Sequence, residues 1–363
     1  MVKRGFRDRD FLETNEGMIF CVIGNVHPKG RVLAYLKYVI NNAATNSIWS
    51  RQGMIYQRMI PIYSAMEVKK ASEYLKERYP EYIVYDKYRN IELTEIPTNR
   101  IKMHYKPEER LKEIINEGPK DPLEELVVDL INELSNEARI SIDNFGVTGS
   151  ILLKIHNPRF SDIDLIIYGS SNAIPIREAI LRLYDKDGSG FSRPSGEILS
   201  KWVNEVVAAH PFTTSEAKAL FTKYKWNKGL YKGKPFSIHP VKVENEITEE
   251  WEQKIHKPLC LVTIRARVLD SKDSFFMPAI YQVGDITILN GCKPQVEIRQ
   301  VVSYESLYTD IAQEGDEVLV HGKLEEVHDI KTGDIYAQVV VGTYEAQGKD
   351  FIKPLKMLNN GGH

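Results

Sequence analysis

Apolar and polar positions divide this chain into three stretches of different rhythm. Over residues 1–118, short apolar runs alternate with turn-forming segments. Residues 18–26, 31–40 and 53–63 read as strands, parted by Asn-Val-His-Pro-Lys-Gly and Asn-Asn-Ala-Ala-Thr-Asn. Met66, Val68, Ala71, Tyr74 and Leu75 recur at helical spacing and predict a helix over 64–78. One or two further strands fall within 82–105 and a helix within 108–117, so an antiparallel α+β module is expected here.

Gly118-Pro119-Lys120-Asp121-Pro122 reads as a linker, with Asp121 able to cap a helix whose first position is Pro122. That helix, 122–137, carries Leu126, Val127, Leu130, Ile131 and Leu134 on one side. Further helices are expected over 174–185, 197–209 and 215–223, with a Gly/Ser-rich stretch at 185–196 and a strand over 235–243. From residue 249 the rhythm turns to short strands, at 259–269, 275–283, 285–289, 296–304, 317–324 and 335–343, with turn signals between them. The expected fold class is α+β multidomain: an N-terminal α+β module (1–118), a central α/β domain (119–248) and a C-terminal all-β small barrel (249–363). An OB-like barrel is one form the last could take, and disorder is expected in the tail, 359–363.

A length of 363 residues with 42% hydrophobic and 27% charged residues fits a soluble globular chain of about two or three domains. No run of eighteen apolar residues occurs, and the opening Met-Val-Lys-Arg-Gly-Phe-Arg-Asp-Arg-Asp lacks the apolar core of a signal peptide. No membrane partner and a cytoplasmic location are therefore expected. Cys21, Cys260 and Cys292 lie far apart without C-x-x-C spacing, predicting neither a disulfide framework nor a zinc site. A net charge of −2 leaves any nucleic-acid binding to local basic patches.

The chemistry concentrates in Val-Thr-Gly-Ser-Ile-Leu-Leu-Lys-Ile-His-Asn-Pro-Arg-Phe-Ser-Asp-Ile-Asp-Leu-Ile-Ile, residues 147–167. Asp162 and Asp164 have the spacing that puts two carboxylates on one face of a strand, while Ile163, Leu165, Ile166 and Ile167 are buried. Two carboxylates beside a hydrophobic core repel each other, and a divalent cation removes that cost. Gly149 and Ser150, upstream, offer backbone N–H groups and a hydroxyl to a phosphate chain. Two surface aspartates on a solvated strand would look the same, but the buried run that follows argues against this.

Gly149, Ser150, the spacer and Asp162-Ile163-Asp164-Leu165 together resemble the signature of the DNA polymerase beta-like nucleotidyltransferase superfamily, with Thr148 where an apolar residue is usual. The resemblance implies a mixed sheet with flanking helices and a reaction at the α-phosphorus of a nucleoside triphosphate. It implies Asp162 and Asp164 as catalytic ligands of Mg²⁺ (or Mn²⁺), and Gly149 and Ser150 as nucleotide-binding. Lys154 and Arg159 are either further donors to the triphosphate or solvated basic residues of a loop. The superfamily also carries a third acid on a later strand. Here that strand presents Ser237 and His239, with Pro240 in the ladder; His239 or Glu244 (or Glu246) is a substitute ligand or an ordinary side chain. Lys223, Tyr224, Trp226, Lys228 and Tyr231 form a basic, aromatic stretch that could bind an acceptor, with the three aromatics expected to be exposed and Phe221 and Phe236 in the core. The N-terminal arginines, with Arg51 and Arg58, add positive charge. The expected function is a nucleotidyltransferase acting on a nucleic-acid acceptor such as RNA, with a protein or a small molecule as the next option. The alternative is a non-catalytic RNA- or nucleotide-binding protein on a degenerate scaffold.

Overall fold

The computed structural model describes residues 4–41 and 49–358; the expected disordered tail and most of the Asn-Asn-Ala-Ala-Thr-Asn turn lie outside the described residues. The N-terminal stretch forms β1 (Phe11–Thr14), β2 (Ile19–Val22), β3 (Arg31–Ile40), β4 (Trp49–Arg51), β5 (Met54–Arg58), α1 (Ala65–Arg78), β6 (Ile83–Asp86), β7 (Ile91–Pro97) and β8 (Ile101–Tyr105). These strands pair antiparallel in the order β4-β5-β3-β2-β1-β8, with β7 bridging β3 and β6. Helix α1 starts where Ser64 accepts a hydrogen bond from Glu67 N, and packs Ala71 and Leu75 onto Phe20, Leu36 and Tyr82.

The middle stretch contains α2 (Pro107–Glu117), α3 (Pro122–Ala138), β9 (Phe145–Val147), α4 (Gly149–Leu152), β10 (Ile163–Tyr168), α5 (Ala173–Asp185), β11 (Phe191–Ser192), α6 (Gly196–Ala209), α7 (Thr214–Ala219), β12 (Lys228–Tyr231) and β13 (Lys234–Val241). Asp121 caps α3 by accepting from Leu123 N and Glu124 N, with Pro122 in the first turn as its sequence requires. The sheet is mixed, in the order β11-β12-β13-β10-β9, and only β10 and β13 run parallel. Strand β10 is apolar on both faces because both are covered: Ile163, Leu165 and Ile167 pack among α3 and α5, while Ile166 and Tyr168 meet Val241 on the other. That second face also carries Asp164.

The C-terminal stretch forms β14 (Lys254–Asp270), β15 (Ala279–Asn290), β16 (Ile298–Ser303), β17 (Glu317–Asp329), β18 (Ile335–Val341), β19 (Phe351–Pro354) and α8 (Leu355–Leu358). The pairing runs β14-β15-β16-β18-β17 and returns to β14, and β19 adds to β17. The runs expected as separate strands at 275–283 and 285–289 are one strand, because Gly284 and Asp285 (φ +51°) absorb a bulge opposite Arg265 and Arg267. Helices α6 and α7 do not cover the central sheet. Trp202, Val203, Val206, Ala217 and Phe221 share a core with Val262, Ile264 and Val320 of the C-terminal strands. Cys260 and Cys292 form a disulfide, Cα to Cα 6.3 Å, correcting the expectation that none exists. Pairing of β14 with β15 brings these residues together across a separation that spacing cannot reveal. Among the described residues no helix is long and apolar enough to cross a membrane.

The three parts meet at Glu305. Its Oε1 accepts from Ala65 N at the start of α1 at 2.9 Å, and its Oε2 lies 3.5 Å from His210 Nδ1 at the end of α6. Burial pushes the Glu305 carboxyl up to about 8 and the His210 imidazole down to about 4, so at neutral pH both are uncharged. The signs oppose below pH 6.5. A carboxyl raised in the fold stabilises fully below its unfolded pKa and loses this as pH rises toward 8, whereas a depressed histidine costs stability only as pH falls from 6.5 to 4. Between pH 6.5 and 8 only Glu305 of this pair titrates, and its contribution to stability is expected to fall by about 2 kcal/mol. Urea melts of the wild type and Glu305→Gln check this: the stability of the wild type relative to the variant is expected to fall by that amount across the window, and a charged Glu305–His210 pair predicts a relative decline on acidification instead.

Candidate active site

Asp162 ends the loop entering β10 and Asp164 follows within it, both on the face opposite α3 and α5. Gly149 sits directly against Asp164. It adopts φ +67°, and a Cβ there would lie 2.6 Å from Asp164 Oδ2, so both backbone conformation and space demand glycine. Thr148 N donates to Asp164 O at 2.9 Å, and Thr148 Oγ1 donates to Arg9 O at 2.8 Å, which fixes the turn between β10 and the N-terminal segment. The polar Thr148, at a position where the resemblance expects an apolar residue, is accounted for by that second bond. Ser150 is half-buried, and its hydroxyl has no partner among the described residues.

Asp162 is solvent-exposed and Asp164 half-buried. The charge of Asp164, reinforced by surrounding protein, pushes the Asp162 carboxyl up to about 6. Asp164 stands opposite Ser237 in the parallel β10–β13 register, and Ser237 Oγ donates to its Oδ1. Ser237 Oγ also lies 2.9 Å from His239 Nε2. Burial, with the positive field of Arg9, Lys225 and Lys228, holds His239 well below its ordinary pKa, hence neutral. Among the described residues no third His, Cys, Asp or Glu joins Asp162 and Asp164 closely enough to share one ion.

Glu244 is corrected as a substitute ligand. Arg7 grips it through Nε at 2.9 Å and Nη2 at 2.6 Å, and Gly5 N donates at 2.9 Å. Although burial alone would raise it, these bonds hold its carboxyl down at about 2. Glu246 similarly accepts from Ser170 N and Oγ and from Val243 N. Arg4 and Arg7 are thus spent on structure, Arg4 on Asp10 and Glu108, Arg7 on Glu244.

Lys154 is exposed, at φ +55°, with its ammonium paired to Glu113 of α2. Arg159 is exposed on a loop held by Asn157, Ser161 and the Lys234 ammonium, which donates to Pro158 O at 2.7 Å. Of the basic, aromatic stretch, Lys223 is exposed and Tyr224 half-buried, but Trp226 and Tyr231 are buried, contrary to expectation. Trp226 Nε1 donates to Asp310 at 2.7 Å and Tyr231 OH to Glu133 at 3.0 Å. The glycine- and lysine-rich context marks the β12–β13 hairpin turn at Lys232 and Gly233, which folds the neighbouring aromatics inward. They form no stacking surface. Lys228 does reach the site: its ammonium sits 4.2 Å from the Trp202 ring, in the field of Asp162 and Asp164, with burial lowering its pKa.

The N-terminal stretch also contributes, through Arg58, which the sequence shows only as added positive charge, and through Lys37, which it does not mark. Tyr38 of β3 and Cys21 of β2 pack against Leu152 and Leu153, just past the Gly149-Ser150 turn, so the N-terminal sheet forms a wall of the site. From it Arg58 and Lys37 act on the Asp162–Asp164 pair. No local signal places either at the site, because their relevance comes from packing between domains.

Fold and site together define a multidomain α+β protein whose mixed middle sheet carries an aspartate pair against a glycine turn. No family model matches the chain, and no solved structure matches it. It is similar to "Uncharacterized protein MJ1086" of Methanocaldococcus jannaschii, 33% identical over 362 residues, spanning 96% of this chain and 98% of that protein. The chain belongs to the same family as that archaeal protein.

Proposed function

We propose that the protein is a magnesium-dependent nucleotidyltransferase that moves a nucleoside monophosphate from a nucleoside triphosphate to an acceptor. The observation that carries this is Gly149 seated against Asp164: only a residue without a Cβ lets the turn that carries the Ser150 hydroxyl approach the aspartate pair this closely, so a phosphate donor and metal ligands adjoin. The donor set fits the metal. Asp162 is exposed, Asp164 keeps Oδ2 outside its bond to Ser237, and both offer hard oxygen ligands of the kind Mg²⁺ takes alongside waters and phosphates; Mn²⁺ is the natural substitute. When bound, the metal offsets charge on the reacting phosphate and on the departing pyrophosphate. Ser150 offers its free hydroxyl to the phosphate chain, Lys228 and Arg58 supply positive field, and Ser237 orients Asp164.

A nucleic acid, RNA foremost, is the proposed acceptor, and the C-terminal strands support it by analogy of fold alone. Their pairing order, returning from β17 to β14 with β16 and β18 parallel, supports an OB-like barrel, a fold that presents strands to oligonucleotides. The second reading, a non-catalytic nucleotide or RNA binder, is favoured by Ser237 and neutral His239 on the strand where the resemblance calls for an acid. A transfer screen separates the two. Each of the four α-labelled triphosphates is incubated with Mg²⁺, the protein and total RNA or protein. Label on an acceptor that disappears in Asp162→Ala/Asp164→Ala supports the transferase, and nucleotide binding without transfer to any acceptor leaves the binder.

A further inference from the structure

We infer that Lys37 of the N-terminal sheet is a phosphate ligand of the candidate nucleotide site, so that a triphosphate is held between two domains; this rests on the nucleotide-binding reading of Asp162 and Asp164. Three observations converge on it. First, Lys37 is the extra residue of a β-bulge: Ile19 pairs with Tyr38 and Phe20 with Leu36, leaving Lys37 between them, while its carbonyl accepts from Met59 N at 2.9 Å. Bulges re-aim side chains, and this one lies where β3 packs against the residues after the Gly149-Ser150 turn. Second, Lys37 is only 4% exposed and its ammonium has no hydrogen bond or ion pair among the described residues, yet the nitrogen is not fully enclosed, so its tip stays within reach of solvent and of an anion. Aromatic faces surround it instead, Tyr63 at 3.9 Å and Tyr35 and Tyr38 at 6.0 Å from the ring centroids. Third, the charged and titratable groups that act on it are Arg58 and Arg9, which repel it, and Cys21 and Asp164, which favour its charge.

An ammonium largely enclosed by rings and without a counter-charge is costly to keep charged unless something anionic reaches it. Burial, then Arg58, bring Lys37 down to about 7, so in the free protein its charge is half lost near neutral pH. Cys21 is itself buried with its thiol raised to about 11 and cannot supply the missing charge. A phosphate chain can. It carries several negative oxygens, and held by a metal on Asp162 and Asp164 it is drawn toward the lysine and Arg58 on the facing wall. Rings on Lys37 position it for a point contact with an oxyanion.

The test uses full-length protein and Mg²⁺-tripolyphosphate, which carries the charge without the base, followed by isothermal titration calorimetry. Lys37→Met, which keeps the buried stem, is expected to fold and to bind roughly 10- to 100-fold more weakly. In wild type at pH 8, titration in HEPES and in Tris is expected to show proton uptake on binding, absent in the variant. Wild-type binding that is lost in Asp162→Ala/Asp164→Ala but unchanged in Lys37→Met overturns this inference and leaves the site standing. Absence of wild-type binding, or its persistence in the double aspartate variant, removes the site and this inference with it. Should Lys37→Met not fold, the proton count of the wild type decides alone: no uptake overturns the role of Lys37.

Discussion

Asp162→Ala/Asp164→Ala is expected to abolish magnesium-dependent binding of nucleoside triphosphate while leaving the protein folded. In the wild type the two carboxylates face one side of the sheet, and the charge of Asp164 disfavours that of Asp162. Because the Asp162 carboxyl is raised in the fold, its ionisation costs stability as pH climbs through about 6. Removing the pair therefore removes a repulsion, and above pH 6 the variant should melt at the same temperature or higher. Binding moves the other way. A partner standing behind a metal ligand is worth roughly 10- to 100-fold in affinity, and deleting both ligands should cost at least that. Titration of a fluorescent triphosphate with Mg²⁺ and again with EDTA measures it. Equal Mg²⁺-dependent affinity in wild type and variant would sink the site assignment; a large loss of thermal stability would instead give Asp164 a structural role through Ser237.

The second large effect is expected behind the site, at Arg110 and Glu124. Glu124 on α3 and Arg110 on α2 are buried and paired, and Glu124 also accepts from Lys120 N at 2.9 Å. Arg110 Nε donates to Ile151 O at 3.2 Å, in the turn that begins at Gly149. Asp121, Glu124 and His156 gather there as a metal site would, but their oxygens already serve the α3 cap, Arg110 and the His156 ring. Glu124→Ala leaves the buried guanidinium with only the partly exposed Glu113, 3.2 Å from its Nη1, and should destabilise by about 1–3 kcal/mol. The double variant Arg110→Met/Glu124→Leu, apolar on both sides, should recover most of that loss in urea denaturation. Nucleotide affinity should not recover with it, since Ile151 O has lost its donor. Full recovery of both would show that the pair does not position the turn.

The local parts of the site were legible in the residues themselves. Asp162, Asp164, Gly149 and Ser150 lie within one short segment, and the strand period of two together with a left-handed glycine places them. Ser237 and His239 were also legible as one face of β13, and the structure adds that Ser237 bonds to Asp164. The aromatic, lysine-rich stretch misled because composition cannot distinguish a hairpin folded onto a core from a surface. Trp226 is buried by its bond to Asp310, a residue of another domain.

What the sequence determined by itself is what neighbours in the chain decide: helix and strand periods, the Asp121 cap with Pro122, the α+β order of the three parts, and an aspartate pair on one strand face. These depend on backbone geometry repeating over a few residues. The tertiary structure alone decided that Glu244 belongs to Arg7, that Cys260 meets Cys292, that α6 and α7 side with the C-terminal strands, and that Lys37 and Arg58 face the aspartates from another domain. Each of these joins residues far apart in sequence, and such pairings are set by packing of whole surfaces, on which local periodicity is silent.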